Sequence, residues 1–269
     1  MSKNRLDQYL LQNEICVSRE KAKNLILAGC VSVNGQVVIK PSFLISEHDT
    51  ISLLQASQRF VSRGGEKLQR ALEFFDINIS NRIVLDLGSS TGGFVDCLLK
   101  NGARKVYAVD VGYGQLDYSL RMNANVVVME RHNARNLTRD DFSDSIDFIT
   151  ADLSFISIAK VMKNIVTIFD STIDSVLLIK PQFEAEYYQH KKGVVKKPEY
   201  HYDIVYKVIH ELTLLDIQIK GLTYSPIKGP KGNIEFLLLC TIHPDTDTNI
   251  KDIQLLIKNC VDEAHKILD

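Results

Sequence analysis

No stretch of these 269 residues approaches the roughly eighteen consecutive apolar positions that a membrane span requires, and the opening Met1-Ser2-Lys3-Asn4-Arg5 leads into mixed polar sequence rather than an apolar leader. The expectation is a cytoplasmic protein, neither secreted nor embedded in a membrane. Low-complexity blocks are missing too. With 45% apolar and 24% charged residues and a mean hydropathy of -0.04, the chain can bury a full core. Cysteine is sparse: Cys16, Cys30, Cys97, Cys240 and Cys260 are scattered, with no C-x-x-C pair and no histidine at ligand spacing. That excludes a disulfide framework and a zinc site, so packed thiols and no metal are expected.

Charge of one sign is also lacking overall, at -1, but the balance is uneven. Residues 1 to 70 hold ten Lys and Arg against six Asp and Glu, whereas the remainder holds 22 against 27. A basic head on an acidic body suits a polyanionic partner for the head.

The first 57 residues read as a small α+β unit. Leu6, Leu10 and Leu11 share helical spacing over Arg5 to Leu11. Ser18 can cap a second helix with the stripe Ala22, Leu25 and Ile26, stopped at Gly29. Val31 to Val33 and Val37 to Ile39 flank Asn34-Gly35, a type I′ hairpin signal, and another strand fits Thr50 to Leu53. A boundary is expected near Leu54 to Arg63, where Gln55-Ala56-Ser57-Gln58 is least patterned. The expected division is 1–57, a linker over 58–63, and a second domain over 64–269.

From Asn81 the pattern alternates. Strands are expected at Ile83–Leu87, Lys105–Asp110, Val126–Met129, Ile146–Ala151 and Val176–Lys180. Helices are expected at Phe94–Leu99, Ile158–Phe169 and Tyr202–Leu215, and a last antiparallel pair at Leu222–Ser225 and Glu235–Thr241. This order predicts a Rossmann-like α/β domain, a mostly parallel sheet covered on both faces.

The first of these strands runs into Leu87-Gly88-Ser89-Ser90-Thr91-Gly92-Gly93-Phe94. Small residues there allow a ligand close to the backbone, and in such sheets ligands sit beyond the carboxyl ends of strands. G-x-G-x-x-G spacing is absent, and Phe94 stands where a P-loop has lysine. Asp86 before the turn and Asp110 at the tip of the second strand suit a ligand with an ammonium group and ribose hydroxyls but no phosphate, as in S-adenosylmethionine. Asp110 is the candidate ribose acceptor. The candidate cofactor set is Asp86, Gly88, Ser89, Ser90, Thr91, Gly92, Phe94 and Asp110, with Asn133 and Ala134 after the third strand.

Four ionisable residues stand at element ends: Lys67 in Ser62-Arg63-Gly64-Gly65-Glu66-Lys67-Leu68, Asp152 in Asp152-Leu153-Ser154-Phe155, Lys180 before Pro181, and Glu235 in Gly232-Asn233-Ile234-Glu235-Phe236. Lys180 is the most telling, since an apolar strand that delivers a lysine to its edge has no packing reason to do so. Lys191, Lys192, Lys196, Lys197, Lys228 and Lys231 lie on Gly-containing loops as further cations.

The N-terminal order R-L-D, S-R-E-K-A, G-x-V-x-V-N-G and K-P resembles the alpha-L, ribosomal S-four-like RNA-binding module. S-R-G-G-x-K-L, D-L-G-x-S-T-G-G-F, N-A-R, D-x-S-F-I-S, K-P-Q-F-E and G-N-x-E-F occur in order between Ser62 and Phe236. The chain thereby resembles the TlyA-type, or hemolysin A, methyltransferases, which join that module to a domain like the FtsJ-type rRNA 2′-O-methyltransferases. The resemblance implies a catalytic tetrad at Lys67, Asp152, Lys180 and Glu235, S-adenosylmethionine as cofactor, and cytidine 2′-hydroxyls of 16S or 23S rRNA, met in ribosomal subunits, as targets. Lys180 would contact the 2′-hydroxyl and take or guide its proton. Arg5, Arg19, Lys21, Lys23, Lys40 and Arg63 are the candidate RNA-contacting cations. Two departures stand out: Ser89 replaces a common Ala, and Ala185-Glu186-Tyr187-Tyr188 stands where the family usually has a Gly and a basic residue. A non-catalytic ribosome-binding protein is the first alternative, opposed by the four filled tetrad positions. Membrane lysis, implied by the family's other label, is the second, and no Lys-rich amphipathic helix supports it. Oligomeric state is not indicated.

Overall fold

The alternation beyond Asn81 resolves into one seven-stranded sheet in a computed structural model that describes residues 4–16, 18–27, 30–46, 48–53, 59–187, 190–244, 250 and 252–269. The chain divides into two compact units, Met1–Gln58 and Arg59–Asp269. The helix stop expected at Gly29 and the stretch Gln55-Ala56-Ser57-Gln58 lie outside the described residues.

The first unit holds β1 (Asn4–Arg5), α1 (Leu6–Gln12), α2 (Arg19–Leu27), β2 (Val31–Val33), β3 (Gln36–Val37), β4 (Leu44–Ile45) and β5 (Ile51–Leu53). Ser18 Oγ accepts the Lys21 amide at 3.1 Å, the expected cap of α2. Asn34 and Gly35 both have positive φ, 53° and 79°, between the register pairs Val33↔Gln36 and Ser32↔Val37. Both values are what a type I′ turn needs. Leu6, Leu10, Ala22, Ile26, Val31 and Ile45 form the core. Leu11, expected on the buried face, is 38% exposed instead. The buried place beside Leu6 goes to Asp7, which is fully buried and ion-paired to Arg5 and Arg19.

The second unit runs through α3 (Gly64–Phe74), β6 (Ile83–Leu87), α4 (Gly93–Lys100), β7 (Lys105–Asp110), α5 (Tyr118–Arg121), β8 (Val126–Glu130), β9 (Phe148–Ala151), α6 (Ile158–Ile168), β10 (Ile173–Ile179), α7 (Pro181–Glu184), α8 (Pro198–Thr213), β11 (Ile217–Tyr224), β12 (Phe236–Ile242) and α9 (Ile253–Leu268). Sheet order is β11-β12-β10-β9-β6-β7-β8. β12 is antiparallel to both neighbours, and the β10-β9-β6-β7-β8 block is parallel. This is the expected Rossmann-like architecture with its antiparallel last strand. One apolar cluster covers the α6, α8 and α9 face, and another covers the α3 and α4 face.

Strand order reverses between β6 and β9, because the chain steps outward through β7 and β8 and then returns to the other side of β6. Such a reversal leaves a crevice at the carboxyl ends of the strands, where ligands of open α/β sheets bind.

Candidate active site

The crevice is walled by residues one step beyond the last register pairs. Leu87 pairs with Ala151, so Gly88 and Asp152 emerge side by side. Ile179 pairs with Phe236, so Lys180 and Glu235 do the same. The Asp152 amide donates to Leu87 O at 2.9 Å, which locks the two strand ends together.

Gly88 has φ +85°, and a Cβ there would stand 2.6 Å from the Asp152 carbonyl oxygen, so the turn tolerates only glycine. Gly92, at φ +94°, precedes α4, and a Cβ on Gly93 would stand 2.9 Å from the Gly65 amide nitrogen. The two Gly-Gly pairs, 64-65 and 92-93, thus let the first turns of α3 and α4 nearly touch. That brings Lys67, in the first turns of α3, toward the sheet edge.

Of the candidate cofactor residues, Asp86 is fully buried, accepts from Thr150 Oγ1 at 2.6 Å through Oδ1, and leaves Oδ2 without a hydrogen-bond partner. Burial, with the like charges of Asp152 and Asp110, pushes its carboxyl up to about 7. Asp110 Oδ2 accepts the Ser90 amide at 2.8 Å, and Oδ1 accepts the Gly112 amide at 2.6 Å. Its second lone pairs are what a ribose could use. Ser89 is buried, its amide donates to Val109 O at 3.0 Å, and Thr91 O accepts the Asp117 amide at 3.2 Å. Phe94 is buried in the α3–α4 cluster. Asn133 Oδ1 accepts the Arg135 amide at 3.1 Å, and Ala134 is buried after β8.

The tetrad forms two ion pairs. Lys67 Nζ donates to Glu235 Oε2 at 2.5 Å, with both side chains buried although they lie 168 positions apart. Lys180 Nζ lies 2.6 Å from Asp152 Oδ1, in a charge contact that is not aligned as a hydrogen bond, and donates to Ser154 Oγ at 2.9 Å. Gln182, two residues beyond Lys180, donates from Nε2 to Glu235 Oε1 at 3.4 Å. The two lysines and two acids therefore gather at one edge, as the order of the motifs implied.

Four residues beside them went unassigned in the sequence. Ser154 receives Lys180. Phe155 is 89% exposed with φ +63°, and its ring centroid lies 4.9 Å from that of Phe183. The buried Glu184 carboxylate accepts the Ile158 amide at 2.8 Å and so ties the start of α6 to α7. Burial raises the Glu184 carboxyl. The signal was present, because all four lie within D-x-S-F-I-S and K-P-Q-F-E, motifs whose remaining positions do the positioning.

Of the candidate RNA cations, Arg5, Arg19, Lys21, Lys23 and Lys40 belong to the first unit and Arg63 to the second. Arg5 meets Asp7 with two hydrogen bonds of 2.9 and 3.1 Å, and Arg19 Nε donates to Asp7 Oδ2 at 3.1 Å. Arg5 beside it holds the Asp7 carboxyl below its usual range. Lys21 and Lys40 are exposed, and Lys23 is exposed on α2. Arg63 Nη2 donates to Lys228 O at 3.1 Å. Among the described residues no cluster of His, Cys, Asp and Glu could hold a metal ion, and no helix is long and apolar enough to cross a membrane. All five cysteines are buried.

Residues 60–241 match the family model for FtsJ-like methyltransferases, and residues 4–51 match the S4 domain. Hemolysin A of Brachyspira hyodysenteriae is 44% identical over 87% of this chain and 98% of its own length. The 16S/23S rRNA (cytidine-2′-O)-methyltransferase TlyA of Mycobacterium tuberculosis is 39% identical over 97% of this chain and 98% of its own. A solved structure from Streptococcus thermophilus whose name carries the word hemolysin superposes with a TM-score of 0.78 at 37% identity, covering 99% of this chain and 97% of that one.

Proposed function

The chain belongs to the FtsJ-like methyltransferase family, and on that premise we propose that it methylates the 2′-hydroxyl of a ribose in 16S or 23S rRNA, a cytidine by the name of its mycobacterial relative. The observation that carries the reading is the 2.6 Å contact of Lys180 with Asp152, one residue from the strand end that abuts the Gly88 turn. A nucleoside bound at the turn and a hydroxyl beside Lys180 would share one crevice.

The residues present fit S-adenosylmethionine. The glycine turn admits a ligand against the backbone, the unpartnered Asp86 Oδ2 offers a buried carboxylate to an ammonium group, Asp110 offers acceptors to ribose hydroxyls, and no lysine or arginine occurs between Leu87 and Leu99 to cradle a phosphate. When bound, that cofactor supplies a methyl group made electrophilic by a positively charged sulfur. The protein's share is alignment, which can lower a barrier by roughly 7–11 kcal/mol, with proton handling adding about 10² to 10⁴-fold. Lys180 contacts the attacking hydroxyl and takes or guides its proton, Asp152 and Ser154 fix the position of Lys180, and Lys67 with Glu235 buttresses the wall behind. Phe155 offers an exposed ring on which the target base can stack, an interaction worth about 1–3 kcal/mol per base in single-stranded recognition.

Residues 1–57, with Lys21, Lys23 and Lys40 exposed, bind folded rRNA in ribosomal subunits through phosphates, and residues 64–269 carry the chemistry. A substrate in ribosomal subunits supports a cytoplasmic location. The test incubates the protein and methyl-labelled S-adenosylmethionine with ribosomal subunits from cells lacking this gene, then digests the RNA with alkali. Label in an alkali-resistant dinucleotide is the expected result, since a 2′-O-methyl blocks cleavage there; label only on bases, or none, refutes the reading.

A further inference from the structure

Two lysine-bearing loops are fastened together beside the sheet edge that carries Lys180 and Glu235. The first, residues 191–197, folds back through an isolated bridge between Lys191 and Val194, with Lys192 and Gly193 at φ 53° and 77°. The second, residues 227–233, closes through Gly229 N to Asn233 O at 2.9 Å and Gly232 N to Gly229 O at 2.8 Å. Asn233 is the fastener. It is 1% exposed, its Oδ1 accepts the Val195 amide at 3.0 Å, and its Nδ2 donates to Gly193 O at 3.0 Å.

Between these loops and helices α8 and α9 lies a cavity of about 590 Å³ lined by Lys196, His201, Lys228, Lys231, His265 and Asp269. Lys196 and Lys231 are exposed and have no carboxylate partner among the described residues. Lys231 reaches across to the other loop, its Nζ 3.7 Å from where a Cβ on Gly193 would stand. Lys228 Nζ is 2.8 Å from Asp269 Oδ1, and Asp269 Oδ2 is 2.6 Å from His265 Nδ1. His201, fully buried with Nδ1 at 2.8 Å from His265 Nε2, is pushed down to about 4 by burial and forms a neutral wall. Three ammonium groups thus face one concave space in which Asp269 is the acidic residue, and Lys196 and Lys231 are left without a carboxylate partner among the described residues, a surplus of positive charge that favours an anion.

Its position says which anion. Ile234 lines the cavity, and the next side chain, Glu235, turns the other way to meet Lys67. A Cβ on Gly229, in the same lysine loop, would stand 2.5 Å from Glu235 Oε1. The cavity and the buried Lys67–Glu235 pair therefore flank the same strand end, beside which Lys180 emerges, so a polynucleotide strand that reaches Lys180 passes close to the cavity.

We propose that this cavity is a phosphate-binding subsite for the RNA strand, taking a backbone phosphate close to the nucleotide being methylated. The inference rests on the methyl-transfer reading for its occupant, and on the loops, the lysines and Asn233 for its existence. Lysine suits the task as a point charge for phosphate oxygens.

The full chain is compared with Lys196→Ala/Lys231→Ala, which leaves Asn233 and both loop closures intact. The alanine variant is expected to raise KM for rRNA about tenfold and to make the logarithmic salt dependence of RNA binding shallower by about 1. Its kcat and its KM for S-adenosylmethionine stay unchanged, and Lys196→Arg/Lys231→Arg restores KM. An alanine variant with wild-type KM and salt slope overturns the subsite. Calorimetric titration with pyrophosphate, which needs no turnover, separates the two readings: wild type binds it and the alanine variant binds it at least several-fold more weakly. If the wild type methylates no rRNA while pyrophosphate binding still follows the lysines, the reaction assignment fails and the anion site stands. Lysine-dependent pyrophosphate binding without a change in RNA KM overturns RNA as the occupant.

Discussion

Removing the Lys67 ammonium leaves the Glu235 carboxylate, 0% exposed, without its charge partner. Breaking a buried pair from one side costs about 3–5 kcal/mol, because the remaining charge has no solvent to turn to. Lys67→Ala should lower the unfolding free energy by that amount in denaturant titration, and Lys67→Met combined with Glu235→Leu should recover most of it. Asp86 makes a second prediction, through pH. Its carboxyl rises from 3.8 unfolded to about 7 folded, so between those values the native state binds more protons than the unfolded one. Stability should therefore fall as pH rises from about 4 to about 7, and Asp86→Asn should flatten that slope in melts of the cofactor-free protein. Residue identities at the tetrad were legible in the sequence. Their partners were not: nothing in the chain says that Lys67 meets Glu235 rather than Asp152, because that choice depends on where α3 crosses the edge of the sheet.

Elements whose signal is periodic or steric were read well. Ile83–Leu87, apolar except for Asp86 and closed by a glycine turn, is buried throughout, and Asn34-Gly35 took the backbone its residue types prefer. Helix α3 was not foreseen, since Gly64-Gly65 reads as a breaker. The structure supplies the reason, with a Cβ on Gly65 falling 2.2 Å from the Phe60 ring and one on Gly93 falling 2.9 Å from the Gly65 amide nitrogen. These glycines exist for close packing of two helix starts, a tertiary demand invisible locally. Gly93→Ala should consequently cost about 1–3 kcal/mol and displace the turn enough to weaken S-adenosylmethionine binding at least several-fold by calorimetry. Wild-type affinity and stability in that variant would refute the packing account. Helix α9 was missed although its stripe of Ile257, Cys260, Val261 and Ala264 has helical spacing. It carries no motif, yet His265 on it and Asp269 at its end complete the wall of the lysine cavity.

At the scale of the whole molecule, the uneven charge along the chain finds its counterpart in two compact units, Met1–Gln58 and Arg59–Asp269. A protein beginning at Arg59 retains the strands, the glycine turn and both ion pairs of the site. It should bind S-adenosylmethionine within a few-fold of the full chain, while its RNA binding weakens and its salt dependence becomes shallower as the phosphate contacts of the first unit disappear. Equal RNA affinity with and without that unit would remove its proposed role.

The proposed methyl transfer requires Lys180 to act at the hydroxyl rather than to hold the cofactor, and one paired measurement separates these roles: turnover on ribosomal subunits and S-adenosylmethionine affinity, both determined for Lys180→Ala. The expected result is a fall in kcat of at least about 100-fold with a cofactor Kd within about threefold of wild type. Full turnover in that variant, or a loss of activity matched by an equal loss of cofactor binding, would contradict it.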